Sequence, residues 1–329
     1  MSARADVDRE IAEFRRAWTD LRGALATVIV GQDEVVDEVL TALFAGGHVL
    51  LEGVPGLGKT LLVRTLAAML GLRFARIQCT PDLMPADVTG TTVVVDEGGR
   101  RAFSFRPGPV FTNLLLADEV NRATPKTQSA LLEAMEEKTV TVGGTTHPIA
   151  EPFHVLATQN PLEMEGTFPL PEAQLDRFLF KVLVRSPSGE DLLRIVDRTT
   201  GAPVPAPDRV LDGARIAALQ RLVREVVLEG PARDLVGRLV AATAPTGEGA
   251  PETVRRFVRY GASPRGAQAL ALGAKVRALT AGRAHASSED VRSVARPALR
   301  HRILLNFEGE AEGVSVEDLL GEVLTFLAR

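Results

Sequence analysis

The sequence is short of the residues that usually announce a specialised chemistry. One cysteine, Cys79, stands among 329 residues, so no internal disulfide can form and no cysteine cluster can hold a metal. Tryptophan and tyrosine occur once each, and the 5% aromatic content is nearly all phenylalanine. A Tyr and Trp platform for stacking single-stranded nucleic acid is therefore lacking. Charge of one sign is lacking too: the net charge is −4, which gives no global bias toward nucleic acid or an anionic membrane. No apolar run approaches the roughly 20 residues of a membrane span. The first residues, MSARADVDREIAEFRRAW, mix both charges without an apolar centre and do not read as a signal peptide. The expectation is a cytoplasmic protein without a membrane span. His48, His147, His154, His285 and His301 show no metal-ligand spacing.

What remains is ordinary globular material, 45% apolar and 24% charged, long enough for a substantial core and two domains. Ile11, Phe14, Trp18, Leu21 and Leu25 recur at helical spacing and predict an amphipathic helix from Asp6 to Val28, with a second from Asp33 to Ala45. HVLLEG, FARIQC, Leu114–Ala117, FHVLAT and FLFKVLV read as short buried strands, and TLLVRTLAAMLG as a helix closed by Gly71. Such alternation predicts an α/β fold with a parallel sheet flanked by helices. TTVVVDEGGRRAFSF, around Asp96–Gly99, and TVTVGGTTHPI, around Gly143–Gly144, read as β-hairpin inserts. Past Ser186 the texture changes, through the linker GAPVPAPD, to helical patterns. The reading is residues 1–187 as a large nucleotide-binding domain and 188–329 as linker plus an all-α domain.

GVPGLGKT, Gly53 to Thr60, fits G-x-x-x-x-G-K-[ST] and lies between a predicted strand and a predicted helix. Glycines there let backbone N–H groups curl around phosphate, Lys59 adds charge, and Thr60 can ligate Mg²⁺ at the helix start. A Gly-rich turn with a surface lysine is the plainer reading, and the strand–loop–helix context argues against it. About 60 residues on, the apolar strand LLLA ends in Asp118 and Glu119. Two adjacent unpartnered carboxylates at a buried strand end would be costly. Set on a strand beside the P-loop strand, Asp118 would hold Mg²⁺ and Glu119 would polarise the attacking water. In ATQNP, Asn160 either orients that water or stabilises the turn before Pro161. Arg177 is either an ion-pair partner or a finger reaching a neighbouring subunit's γ-phosphate. Ser263 and Pro264 read as N-cap and N1, which places Arg265 in a first helical turn. A cation there opposes the helix dipole by a few tenths to about 1 kcal/mol, and a phosphate would reverse that.

VGQDEV, LEGVPGLGKT, RIQCTPDLMPADVTG, FRPGPVFTNLLLADEVNRATPKTQSALLEAMEE, ATQNPLEMEGTFPLPEAQLDRFLF and GASPRG together resemble the AAA+ ATPases, and within them the MoxR family. The resemblance covers most of the chain and is densest from Val30 to Val184. It implies a P-loop fold with a C-terminal lid, and ATP and Mg²⁺ as ligands. It implies a Walker A loop of Gly53, Val54, Pro55, Gly56, Leu57, Gly58, Lys59 and Thr60, with Leu61 following, and a Walker B segment Leu114–Glu119. It further implies Asn160 as sensor 1, Arg177 as the finger in trans, Arg265 as sensor 2 acting in cis, and Gly31 and Gln32 near the adenine. Thr60 and Asp118 would serve the metal. A hexameric ring, a protein client and a partner with a von Willebrand factor A domain complete the implication. Cys79 and Met164 stand where the family more often has a larger apolar and a polar residue. Cys79 itself reads as a small buried hydrophobe, VRRFVRYGASPR as a solvated helix face, and Asn121–Arg122 as either an interface element or a hydrogen-bonded loop. The alternatives are a nucleic-acid motor, disfavoured by the charge, and a chelatase-type metal-insertion motor.

Overall fold

Runs of aliphatic residues with no exposed face build the centre. The computed structural model describes residues 2–97, 100–161, 166–201 and 207–327. The turn at Gly98–Gly99, Met164 and most of the Pro-rich linker lie outside them. Five strands form one wholly parallel sheet: β1 (Val49–Glu52), β2 (Phe74–Gln78), β5 (Leu114–Asp118), β8 (His154–Gln159) and β9 (Phe180–Leu183), in the order β2-β5-β8-β1-β9. Leu114 sits between Phe74 and His154, and Val49 between Leu156 and Phe180. β8 therefore separates β5 from β1. The expectation that the acidic strand lies directly beside the P-loop strand is corrected: the carboxyl ends of β5, β8 and β1 stand in a row, with Thr158–Asn160 in the middle.

The inserts are two antiparallel hairpins, β3 (Gly90–Glu97) with β4 (Arg100–Pro107) and β6 (Thr139–Val142) with β7 (Thr145–Pro148). Gly143 and Gly144 both take positive φ, 58° and 80°, the backbone a two-residue turn between right-twisted strands requires.

Helix α1 (Ser2–Val28) buries Ile11, Phe14, Trp18, Leu21 and Leu25 along one stripe and packs on α2 (Asp33–Ala45), where the Phe14 and Phe44 rings lie 4.8 Å apart. α3 (Lys59–Met69), α4 (Pro85–Thr89), α5 (Pro125–Glu137) and α6 (Glu172–Leu175) complete this part of the chain, with a 3₁₀ turn at Val120–Arg122. Nine helices follow among the described residues: α7 (Gly189–Thr200), α8 (Gly213–Glu225), α9 (Gly230–Ala242), α10 (Glu252–Phe257), α11 (Pro264–Thr280), α12 (Ser288–Ser293), α13 (Ala295–Leu299), α14 (Phe307–Ala311) and α15 (Val316–Phe326). This second half is helical as read, but it also carries two short ladders, Val227–Leu228 with His285–Ala286 and Val258–Tyr260 with Leu304–Leu305. Part of the segment read as a solvated helix face, Val258–Tyr260, is thus a strand. The helical half continues the core of the sheet. α11 comes so close to β9 that a Cβ on Gly273 would stand 2.9 Å from Phe180 Cζ. Among the described residues no helix is long and apolar enough to cross a membrane.

Two buried histidines join sheet and helices. His48 Nε2 donates to Met135 O (3.1 Å) while Nδ1 accepts from Val155 N–H (2.9 Å); His154 Nδ1 donates to Gly47 O (3.2 Å) and Nε2 accepts from Gln220 (2.9 Å). Burial is the main cause that pushes His48 down to about 3 and His154 to about 4, and His301 is lowered well below its ordinary range the same way. Glu38 moves oppositely, raised to about 7 chiefly by burial. A folded-state imidazole that resists protonation lets the unfolded chain bind more protons on acidification, which destabilises the fold. A carboxyl with a raised value stabilises it over the same range. Three imidazoles against one carboxyl predict that the urea midpoint falls between about pH 7 and pH 5. A Glu38→Gln chain should fall more steeply; a flat or shallower profile in that variant contradicts the balance.

Candidate active site

The loop after β1 turns through Gly56 (φ 85°) and Gly58 (φ 77°), left-handed positions that favour glycine, before α3 begins at Lys59. A Cβ at either glycine would meet nothing within 4 Å, so the concave side of the loop is open, whereas a Cβ at Gly53 would stand 2.6 Å from Val184 O. Lys59 Nζ folds back on its own loop, donating to Gly53 O and to Val54 O (3.1 Å). Burial lowers its pKa, and the nearby Asp118 and Glu119 counteract that.

β5 delivers the two acids differently. Asp118 ends the strand, while Glu119 adopts φ 55°, ψ 51°, a left-handed conformation that a non-glycine residue holds only at a cost of about 1–2 kcal/mol. The bend sends the carboxylates apart. Asp118 Oδ1 accepts from the Thr158 hydroxyl (2.6 Å), and Oδ2 accepts from Arg76 Nη2 (2.7 Å) and Nε (3.2 Å). Glu119 Oε2 accepts from Gln78 Nε2 (3.0 Å) and pairs with Arg122 Nη1 (3.1 Å). The Glu119 N–H donates to Thr158 Oγ1 (2.8 Å), so one threonine ties both acidic residues to β8. Cys79, buried beneath them with its thiol pushed up to about 12 by burial, donates its N–H to Asp118 O (2.9 Å).

These groups share one cleft of about 390 Å³, lined by Pro55, Gly56, Leu57, Gly58, Lys59, Thr60, Leu61, Arg76, Asp118, Glu119, Thr158 and Asn160. The structure thus brings the P-loop, both acids and Asn160 together. The hydroxyl of Thr60 and the carboxylate of Asp118 are hard oxygen donors, the set that suits Mg²⁺, and the open loop above Lys59 fits phosphate. Gly31 and Gln32 do not line this cleft. Gly31 (φ 69°) lies against Asp191 at the start of α7, and Gln32 donates to Arg185 O (2.8 Å).

Arg177 and Arg265 lie elsewhere. Both pair with the Glu136 carboxylate at the end of α5, Arg177 at 3.0 Å, and with Lys138, Asp176 and Arg302 they line a separate pocket. In this structure Arg265, expected to act on this chain's own phosphate site, does not line the cleft that holds the P-loop. Its position as the second residue of α11 holds, since the Ser263 hydroxyl accepts its N–H (3.1 Å), but that helix start faces Glu136 rather than the P-loop. Beneath the pocket, buried Arg302 grips the segment carrying Arg177. It donates to Asp176 Oδ1 (2.7 Å), Asp176 O (2.9 Å), Phe178 O (2.7 Å) and Leu179 O (3.1 Å).

With this geometry in view, similarity to known proteins is informative. Residues 48–180 match the ATPase family associated with various cellular activities (AAA), and residues 252–323 match the AAA lid domain. The chain is 44% identical to Chaperone MoxR1 of Mycobacterium tuberculosis over 92% of its own length and 79% of that protein's. The chain belongs to the MoxR family of AAA+ ATPases. It is also 32% identical to Protein MoxR of Methylorubrum extorquens, covering 91% of this chain and 90% of that one. A crystal structure of a candidate ATPase from Cytophaga hutchinsonii superposes with a TM-score of 0.90 at 38% identity, over 99% of this chain and 98% of that one. The parallel sheet is accordingly that of a MoxR-type AAA+ domain, and the helical half contains its lid.

Arg76, Thr158, Glu136 and Arg302 had no signal of their own in the sequence. Only the strand order could show that Arg76 and Thr158 flank Asp118. Thr158→Val should remove the hydroxyl from Asp118 and strand the Glu119 N–H, lowering the unfolding free energy by about 1–3 kcal/mol in urea titrations. A loss within a few tenths would mean that water replaces both bonds.

Proposed function

We propose that this MoxR-type protein hydrolyses ATP with Mg²⁺ at the interface between subunits of a ring, six in number, and uses the cycle to mature or activate client proteins. The carrying observation is the separation of two incomplete half-sites. Lys59, Thr60, Asp118, Glu119 and Asn160 converge in one cleft, while Arg177 and Arg265 converge in another around Glu136. In a ring, the second surface of one subunit meets the first of its neighbour. Arg177 and Arg265 would then both act in trans on the γ-phosphate.

In this reading backbone N–H groups of Gly53–Thr60 cradle the phosphates and Lys59 turns from its loop carbonyls toward them. Thr60 and Asp118 would hold Mg²⁺, which supplies charge neutralisation between the outer phosphates. Glu119 takes the proton of the attacking water, and Asn160 holds that water in line. The neighbour's arginines balance the charge that develops on the transferred group. Gly31 and Gln32, at the junction of α2 and α7, would form the wall near the adenine. The large domain is assigned to residues 1–187 and the linker and lid to 188–329. The client role and a partner carrying a von Willebrand factor A domain rest on the family resemblance, and the name of the mycobacterial relative supports the chaperone part.

Glu119→Gln should retain ATP binding and lose turnover by about 10²–10⁴-fold, read by phosphate release; near-normal hydrolysis would sink the assignment. Subunits carrying Arg177→Ala, mixed with Lys59→Ala subunits, should regain activity that neither has alone. No recovery at any ratio, with ring assembly verified, excludes a finger in trans.

A further inference from the structure

The cleft contains a cation that the proposed chemistry leaves without a task. Arg76 projects from β2, the edge strand on the far side of Asp118 from the P-loop strand. Its fork closes on Asp118 Oδ2 through Nη2 (2.7 Å) and Nε (3.2 Å), while the Thr158 hydroxyl holds Oδ1 (2.6 Å). Both carboxylate oxygens are thus engaged. A divalent cation arriving from the cleft would have to share Oδ2 with a guanidinium, and two cations on one oxygen repel each other. Arg76 Nη2 also donates to Gln78 Oε1 (2.7 Å), and Gln78 Nε2 donates to Glu119 Oε2 (3.0 Å), so the two acids are bridged by one hydrogen-bonded chain. Its side chain is 46% exposed, so nothing packed above it prevents a swing into water.

The geometry points to Arg76 as a built-in counter-ion that occupies Asp118 in the metal-free subunit and must be displaced before Mg²⁺ binds. This rests on the reading of Asp118 as the acid on the metal's side. The fork solves the burial of Asp118 when no metal is present, and it raises the concentration of metal the site requires. Through Gln78, its departure also loosens one hydrogen bond on Glu119, so metal arrival and release of the base become linked.

The test uses the full chain with ADP, so that no γ-phosphate is present, and Mn²⁺ as the probe, counted by its electron paramagnetic resonance signal. Arg76→Gln should tighten Mn²⁺ binding to the ADP complex about threefold to tenfold, the scale of losing one charge-assisted fork that is partly open to water. ADP binding in excess EDTA should not change. Arg122→Gln serves as the control, because it removes an equal charge that pairs with Glu119 and not with Asp118. Unchanged or weaker Mn²⁺ binding overturns the proposal, and so does equal tightening in the control. Weaker metal-free ADP binding in Arg76→Gln also overturns it, since Arg76 would then be a phosphate ligand. Should that variant not fold, Arg76→Lys keeps the charge without the two-donor fork; it should tighten Mn²⁺ to a smaller degree, and no change overturns the proposal. A wild-type chain without ADP-dependent Mn²⁺ binding would instead remove the proposed function, a failure separate from that of Arg76.

Discussion

Two neighbouring carboxylates end a strand whose every residue is buried, and much of the surrounding architecture answers that constraint. Desolvated charge has to be met by donors or cations. β2 contributes Arg76 and Gln78, β8 contributes Thr158, and the loop after β1 brings Lys59 near enough for both acids to favour its charged form. Only the observed strand order places these three sources on either side of β5. The left-handed turn at Glu119 divides the problem further, because each carboxylate then faces its own partners.

A cleft assembled this way is rich in acid and base but carries, among the described residues, no cation other than Lys59 and Arg76 along its walls. The arginines suited to a developing phosphate charge are held around Glu136 instead. On the proposed reading that division makes assembly a condition of catalysis. A lone subunit would bind nucleotide with its acids in place and lack the charges that stabilise the transition state.

The core strands could be read from the sequence because a buried parallel strand is a short aliphatic run bounded by polar residues, and Leu114–Ala117 and Phe153–Thr158 are of that kind. Gly143–Gly144 marked its hairpin because few other residues accept such a turn. Strand order was not legible, since periodicity reports which face is buried and nothing about neighbours. Hence the acidic strand is expected beside the P-loop strand, and nothing local to Arg76 signals that it flanks Asp118. Arg265 shows the same limit. Ser263–Pro264 declare a helix start, but no local signal says which cleft that start faces. The two- and three-residue ladders among the late helices are too short to leave a pattern at all.

Arg302 gives the helical half a mechanical meaning. Its guanidinium holds the carboxylate of Asp176 and three backbone carbonyls within residues 176–179, the segment that presents Arg177. Displacing that segment alone would strand a buried charge, so the low-cost movement carries the segment and the end of α13 together. A pull on Arg177 from outside is therefore delivered to the lid as to a lever already clamped to its load.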